Sequence, residues 1–164
     1  MNEDILRHNS SPSGEVGRGA VTFNIEGAVQ MPDIDQEHIG QWVCDVAATY
    51  GKRVGEINYV FVDDERILQV NRQFLGHDYY TDIITFDYTQ GRILSGDLYI
   101  SLDTVRSNAE ILPPAPCPYE IELLRVIIHG VLHLCGINDK GPGEREVMEA
   151  CENKALALLS TDNG

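Results

Sequence analysis

The chain is poor in positive charge and has no long apolar run. It carries 12 lysines and arginines against 26 aspartates and glutamates, a formal net charge of −14 at pH 7. The longest apolar stretch, Leu123 to Ile137, contains Arg125 and two histidines, so it lacks the about 18 uninterrupted apolar residues of a membrane helix. The first residues are polar and acidic and lack the basic-then-apolar order of a signal peptide. These absences predict a cytoplasmic protein that does not enter a membrane.

Cysteine is scarce as well, and its spacing matches no zinc or redox motif. The four cysteines are never arranged as C-x-x-C; they are Cys44, Cys117, Cys135 and Cys151. Such scattered residues indicate reduced thiols in a cytoplasmic protein. A length of 164 residues suits a single domain with a substantial core.

The segment that carries most chemical information is His129-Gly-Val-Leu-His133-Leu-Cys-Gly136-Ile-Asn-Asp139. Two histidines four residues apart share one helical face, so both imidazoles can bind one ion. Gly136 allows the chain to leave the helix, and Asp139 can then return as a third, oxygen ligand. Three protein ligands leave a fourth position open, which is typical of catalytic zinc. We therefore predict one Zn²⁺ bound by His129, His133 and Asp139, with Cys135 on the opposite side of the helix.

This pattern differs from the metzincin ligand pattern at two positions, and one of them is Asp139, which stands where a third histidine would be. In H-E-x-x-H enzymes a glutamate follows the first histidine and acts as the general base, whereas this chain has Gly130 there. A peptidase or amidase therefore remains an alternative that shares the ligand geometry but lacks that base.

Three ordered blocks of sequence resemble the YbeY family. Residues 125–140 are similar to its H-G-x-L-H-L-x-G-x-D-H signature, and residues 71–86 to its N-x-x-[FY]-R-x-K-D-x-x-T-D-V-L-S-F block. The third block is Gly96-Asp97-Leu-Tyr-Ile-Ser, at a strand opening, and the resemblance covers about residues 21 to 160. It implies a zinc-dependent, single-strand endoribonuclease of rRNA maturation, including 3′ end processing of 16S rRNA, and of ribosome quality control. The implied partners are ribosomal RNA and the small ribosomal subunit, and no DNA is expected.

Three departures from the family pattern bear on the site. Asp139 stands where the family has a third histidine, Leu75 where it usually has an arginine linked to activity, and His77 where a lysine is usual. We predict five further catalytic or substrate-binding residues around the metal, which are Arg125, Arg72, His77, Asp82 and Lys140. For Arg125, pairing with a neighbouring carboxylate is the alternative to a phosphate contact.

The excess of acidic residues conflicts with an RNA substrate. RNA-binding surfaces are usually positive, so a charge of −14 predicts weak, strongly salt-dependent binding to naked RNA. Alternatively, a partner such as the ribosome presents the substrate. A third possibility is a ribosome-associated module whose metal is catalytically inert and only stabilises the fold.

The order of patterned segments predicts an α+β fold with one small domain over residues 20–160 and a disordered extension over residues 1–19. We expect a mixed four-stranded sheet packed with several helices, among them a central ligand helix that is apolar on all sides. The predicted strands are Val21–Ile25, Ile57–Val62, Thr81–Tyr88 and Asp97–Leu102. The predicted helices are Asp35–Tyr50, a short one from Asp63 or Asp64 to Phe74, one from Ser101 or Asp103 to Ile111, Tyr119–Cys135 and Glu144–Leu159.

Overall fold

The fold is built on a single mixed sheet. The computed structural model describes residues 19–77, 81–111 and 117–162. Within these residues four strands lie in the order β1-β2-β4-β3, namely β1 (Ala20–Ile25), β2 (Arg53–Val62), β3 (Ile83–Asp87) and β4 (Ile93–Ser101). β1 and β4 both pair with β2 in parallel, and β3 pairs with β4 antiparallel. The predicted α+β class and mixed four-stranded sheet are confirmed.

Five α-helices accompany the sheet in the described part of the chain. They are α1 (Gln36–Thr49), α2 (Asp64–Val70), α3 (Leu102–Ile111), α4 (Tyr119–Leu134) and α5 (Glu144–Asp162). Aspartates cap the first two helices, because Asp35 accepts a hydrogen bond from His38 N and Asp63 accepts one from Arg66 N. The short predicted helix ends as a π-helical segment, Asn71–Leu75, directly after α2.

All four strands begin at residues other than those predicted. β1 begins at Ala20 rather than Val21, and β2 begins at Arg53 rather than Ile57. β3 begins at Ile83 rather than Thr81, and β4 begins at Ile93 rather than Asp97. The difference at β4 arises at Gly96, because the sequence pattern predicts a boundary between loop and strand at this glycine. In the sheet, a Cβ at Gly96 would lie 2.6 Å from the backbone oxygen of Phe86, so glycine permits close pairing of β3 with β4.

Helix α4 lies at the centre of the molecule, as its all-round apolar sequence predicts. It contacts β3 and β4 on the sheet and α1, α3 and α5 among the helices. The buried hydroxyl of Tyr59 on β2 donates a hydrogen bond to the backbone oxygen of Ile127 at 2.8 Å, which ties α4 to the sheet. Trp42 Nε1 of α1 donates to the backbone oxygen of Ala155 of α5 at 2.8 Å, which joins two of the helices that contact α4.

Gly130 is a point of close approach between α4 and the sheet. A Cβ built at Gly130 would overlap Cδ2 of Leu98 on β4 and lie 3.0 Å from Cδ1 of Ile83 on β3. Leu98 is fully buried, so it has little room to move aside. The glycine next to the first histidine is therefore a packing requirement of this fold.

A smaller apolar cluster covers the other face of the sheet. There α2 contributes Ile67 and Val70, which pack with four strand residues, Val60, Val62, Ile84 and Phe86.

Within the described residues, no helix is both long enough and apolar enough to cross a membrane. The predicted extension, apart from Gly19, lies outside the described residues, and so do residues 112–116 of the proline-rich connection before α4.

Candidate metal centre

The structure brings the three predicted metal ligands together at the C-terminal end of α4. The rings of His129 and His133 lie 4.6 Å apart between centroids. Asp139 Oδ2 lies 3.4 Å from His129 Nε2, and Asp139 Oδ1 lies 3.6 Å from His133 Nε2. One ligand atom from each residue can be chosen so that all three lie within 4.8 Å of one another. Two nitrogens and one carboxylate oxygen at this spacing can surround a single small cation.

A Schellman motif at the end of α4 returns Asp139 to the histidines. Gly136 has a φ of 99°, a left-handed conformation that favours glycine. Gly136 N donates to the backbone oxygen of His133 at 2.9 Å, and Ile137 N donates to that of Leu132 at 3.0 Å. The chain reverses within a few residues of the helix end, and this reversal brings Asp139 next to the two histidines.

One ligand atom lacks the partner that its burial requires. Asp139 Oδ1 is buried and accepts no hydrogen bond from any residue that the structure describes. A buried carboxylate oxygen without a partner is costly, and a bound cation removes that cost. Two imidazoles and a carboxylate are also ligands that Zn²⁺ accepts, so the residues fit a zinc-like divalent ion.

The two histidines are in different electrostatic states. Burial by itself would lower the pKa of His129, but the hydrogen bond and charge of Glu152, with smaller contributions from Asp139 and Asp82, raise it above its ordinary value. Burial and the neighbouring His129 lower the pKa of His133. His133 is therefore a neutral imidazole at neutral pH, as a metal ligand must be.

Among the other predicted site residues, Arg125 is engaged in an ion pair. Its Nη1 lies 3.0 Å from Oε1 of Glu152 on α5, which is the carboxylate-pairing alternative. Lys140 is exposed, and its charge contributes to the lowered pKa of His133, so it lies beside the ligands. Burial raises the pKa of Asp82, which lies close enough to act electrostatically on His129.

The remaining two predictions fall on the segment before β3. Arg72 belongs to the π-helical segment, and His77 follows it, where His77 N donates to the backbone oxygen of Asn71 at 3.1 Å. Their roles in substrate binding stay predictions.

Sequence reasoning missed Glu152, the residue in closest contact with a ligand. Glu152 Oε2 lies 2.6 Å from His129 Nδ1, and the residue is only 7% exposed. A signal was present in the sequence, because Glu152 shares one helical stripe of α5 with Met148 and Ala155, both of which are buried. An acidic residue in the middle of an apolar stripe indicates a specific buried partner.

Cys135, although adjacent in sequence, is not part of the candidate ligand group. Among the described residues that group consists of His129, His133 and Asp139. Burial raises the pKa of the Cys135 thiol to about 11, with a smaller opposing effect from Lys52.

Comparison with known proteins supports the resemblance. Residues 24–160 match the family model for Endoribonuclease YbeY. The Endoribonuclease YbeY of Phocaeicola vulgatus is 66% identical over 140 residues, which cover 85% of this chain and 99% of the relative. That of Bacteroides thetaiotaomicron is 67% identical over 139 residues, which cover 85% of this chain and 98% of the relative.

A solved structure shares the fold. The solution structure of TM1509 from Thermotoga maritima matches with a TM-score of 0.57 and 23% identity, and the match covers 87% of this chain and 93% of that one. The family match across most of the chain, together with these closely similar relatives, shows that the chain belongs to the YbeY family.

Proposed function

We propose that the protein is a zinc-dependent endoribonuclease that cleaves single-stranded RNA during rRNA maturation, including the 3′ end of 16S rRNA, and in ribosome quality control. The relatives' name, Endoribonuclease YbeY, supports the reaction class. Two observations carry the metal dependence: His129, His133 and Asp139 converge, and Oδ1 of Asp139 is buried without a hydrogen-bond partner among the described residues. The proposed partners are ribosomal RNA and the small subunit in the cytoplasm.

The openness of the ligand cluster favours a catalytic site over an inert structural one. The side chains of His129, His133 and Asp139 are 21%, 30% and 19% exposed, so solvent and substrate can reach them. Structural zinc sites are instead closed by four protein ligands. This exposure argues against the alternative of a catalytically inert metal-binding module.

Each residue at the site has a proposed task. A divalent ion held by the three ligands would polarise a phosphate oxygen and acidify a bound water. Lys140, which lies beside His133, supplies positive charge for a neighbouring phosphate of the RNA. Asp82 is a candidate proton acceptor, since its raised pKa lies closer to neutral pH than that of an exposed aspartate. Arg125 is already paired with Glu152, so we assign it no phosphate contact.

Removing the metal should abolish RNA cleavage reversibly. We expect protein treated with a chelator and then dialysed to leave a single-stranded RNA uncut, because Asp139 and the histidines then hold no cation. Addition of Zn²⁺ should restore cleavage, measured as RNA fragments resolved on a denaturing gel. Casein, incubated in parallel, should remain intact in both states because the general base of H-E-x-x-H enzymes is absent.

Two outcomes would contradict the proposal. Undiminished RNA cleavage by metal-free protein would remove the metal dependence, and zinc-dependent cleavage of casein would favour the peptidase alternative. The cellular role is tested separately by mapping the 3′ end of 16S rRNA in a strain that lacks the gene, where unprocessed ends are expected.

Asp139→His should shift the pH dependence of RNA cleavage to lower pH. Two neutral histidines and one aspartate leave a divalent ion with a net charge of about +1, against about +2 for three histidines. The higher charge favours deprotonation of the water nucleophile, so we expect the rising limb of the pH–rate profile at lower pH. Asp139→Asn is the companion variant, because it removes the charge without adding an imidazole; it should weaken zinc binding, and its zinc-loaded fraction should show a shift in the same direction. An unchanged profile for Asp139→His would mean that Asp139 does not bind the metal.

A further inference from the structure

Glu152 on α5 contacts a candidate metal ligand, although the proposed reaction assigns it no task. It reaches across from α5, it is 7% exposed, and both of its carboxylate oxygens are engaged. Oε2 contacts His129 Nδ1 at 2.6 Å, and Oε1 accepts a hydrogen bond from Arg125 Nη1 at 3.0 Å. An acidic side chain that is this deeply buried and this fully engaged is held in one orientation.

The contact between Glu152 and His129 determines which imidazole nitrogen carries the proton. A carboxylate can only accept a hydrogen bond, so a 2.6 Å contact requires the proton on Nδ1 of His129. In the neutral ring this leaves the lone pair on Nε2, the nitrogen that lies 3.4 Å from Asp139 Oδ2. The free lone pair therefore points into the cluster of candidate ligands.

Arg125 completes the arrangement from the same helix as the histidines. It lies one turn before His129 on α4, and its guanidinium fixes the second oxygen of the same carboxylate. Glu152 is therefore oriented by a cation on one side while it orients an imidazole on the other. Carboxylates that hold ligating histidines in this way raise the basicity of the ring and fix its direction.

We propose that Glu152 is a positioning residue that holds His129 in the Nδ1–H tautomer and aims its Nε2 at the divalent metal, with Arg125 fixing the carboxylate. This inference rests on the proposed metal-dependent function. It also extends that function, because it makes α5 part of the metal centre although the three ligands come from α4 and the turn after it.

The tautomer of His129 can be measured directly, without metal and without RNA. Nitrogen-15 NMR of the imidazole ring in metal-free protein, at a pH well above the pKa of His129, should show a protonated Nδ1 and a bare Nε2. In Glu152→Ala the Nε2–H form should become populated. Glu152→Gln keeps the shape and can still accept through its amide oxygen, so it should retain the Nδ1–H tautomer.

Zinc affinity provides the second readout. In competition with a chromogenic chelator, Glu152→Ala should bind Zn²⁺ about 10- to 100-fold more weakly than the wild type, and Glu152→Gln should lie between the two. Glu149→Ala is the matched control, since it removes the same charge from an exposed position of α5 and should retain wild-type affinity. Melting curves of all variants separate loss of fold from loss of metal.

The outcomes distinguish the positioning role from the proposed function. A wild-type tautomer together with wild-type zinc affinity in Glu152→Ala would overturn the role, and so would an equal loss of affinity in Glu149→Ala. If Glu152→Ala fails to fold, then a Glu152→Gln protein with both tautomers equally populated would overturn it as well. If tautomer and affinity change as expected but the wild type cleaves no RNA, the positioning role stands and only the nuclease proposal falls.

Discussion

His129→Ala is expected to abolish tight zinc binding and RNA cleavage while leaving most of the fold intact. The substitution removes one of two nitrogen ligands, and the remaining His133 and Asp139 form too small a set to retain the ion. Loss of a supporting residue around a metal typically costs about 10- to 100-fold, so loss of a ligand should exceed the upper end of that range. The readouts are zinc content after gel filtration, the rate of RNA cleavage and the circular dichroism melting curve.

The fold should tolerate this change for a structural reason. The side chain of His129 is 21% exposed, and its removal leaves Glu152 still paired with Arg125. His38→Ala is a suitable control, because it deletes another helical imidazole, on α1, that is not part of the ligand cluster. A His129→Ala protein that retained zinc and full activity would reject the metal site.

The ligand set could be predicted from sequence because its geometry is local. The spacing of His129 and His133 places them on one helical face, and Gly136 signals the reversal that brings Asp139 back. All three lie at or just after the C-terminal end of one helix, so helical periodicity and one glycine are sufficient to predict that they converge. The central position of α4 was predictable for a similar reason, since a helix that is apolar on all sides must be covered.

Tertiary packing provides the features that the sequence did not predict. Glu152 meets His129 only because α5 packs against α4, and no spacing rule relates two residues on different helices. The same packing decides whether Arg125 pairs with a carboxylate or is left to contact a phosphate, since its partner Glu152 also comes from α5. The close contact at Gly130 depends on how near α4 lies to Leu98, a distance that residue patterns do not encode.

Gly130→Glu should destabilise the protein strongly without creating a peptidase, although it completes the H-E-x-x-H sequence. The new Cβ would overlap the fully buried Leu98 and crowd Ile83, and overpacking of this kind costs about 1–3 kcal/mol. A carboxylate directed at this apolar contact adds the cost of burying an unpaired charge, so the total loss should reach on the order of 4 kcal/mol. Urea denaturation measures the free energy of unfolding, and a casein assay tests for the new activity.

Two alanine variants separate the steric effect from helix propensity. Gly130→Ala should cost about 1–3 kcal/mol for the overlap, reduced by the about 1 kcal/mol that alanine gains over glycine in a helix. Gly40→Ala, within α1, meets only Val21 Cβ at 3.6 Å, an ordinary contact, so it should stabilise the protein by up to about 1 kcal/mol. If Gly130→Glu folded with wild-type stability and cleaved casein, the packing argument would be wrong, and the missing glutamate alone would separate this site from a peptidase. The expected opposite signs of the two alanine variants instead place the difference in the packing of α4 against β4, where the glutamate of a peptidase has no room.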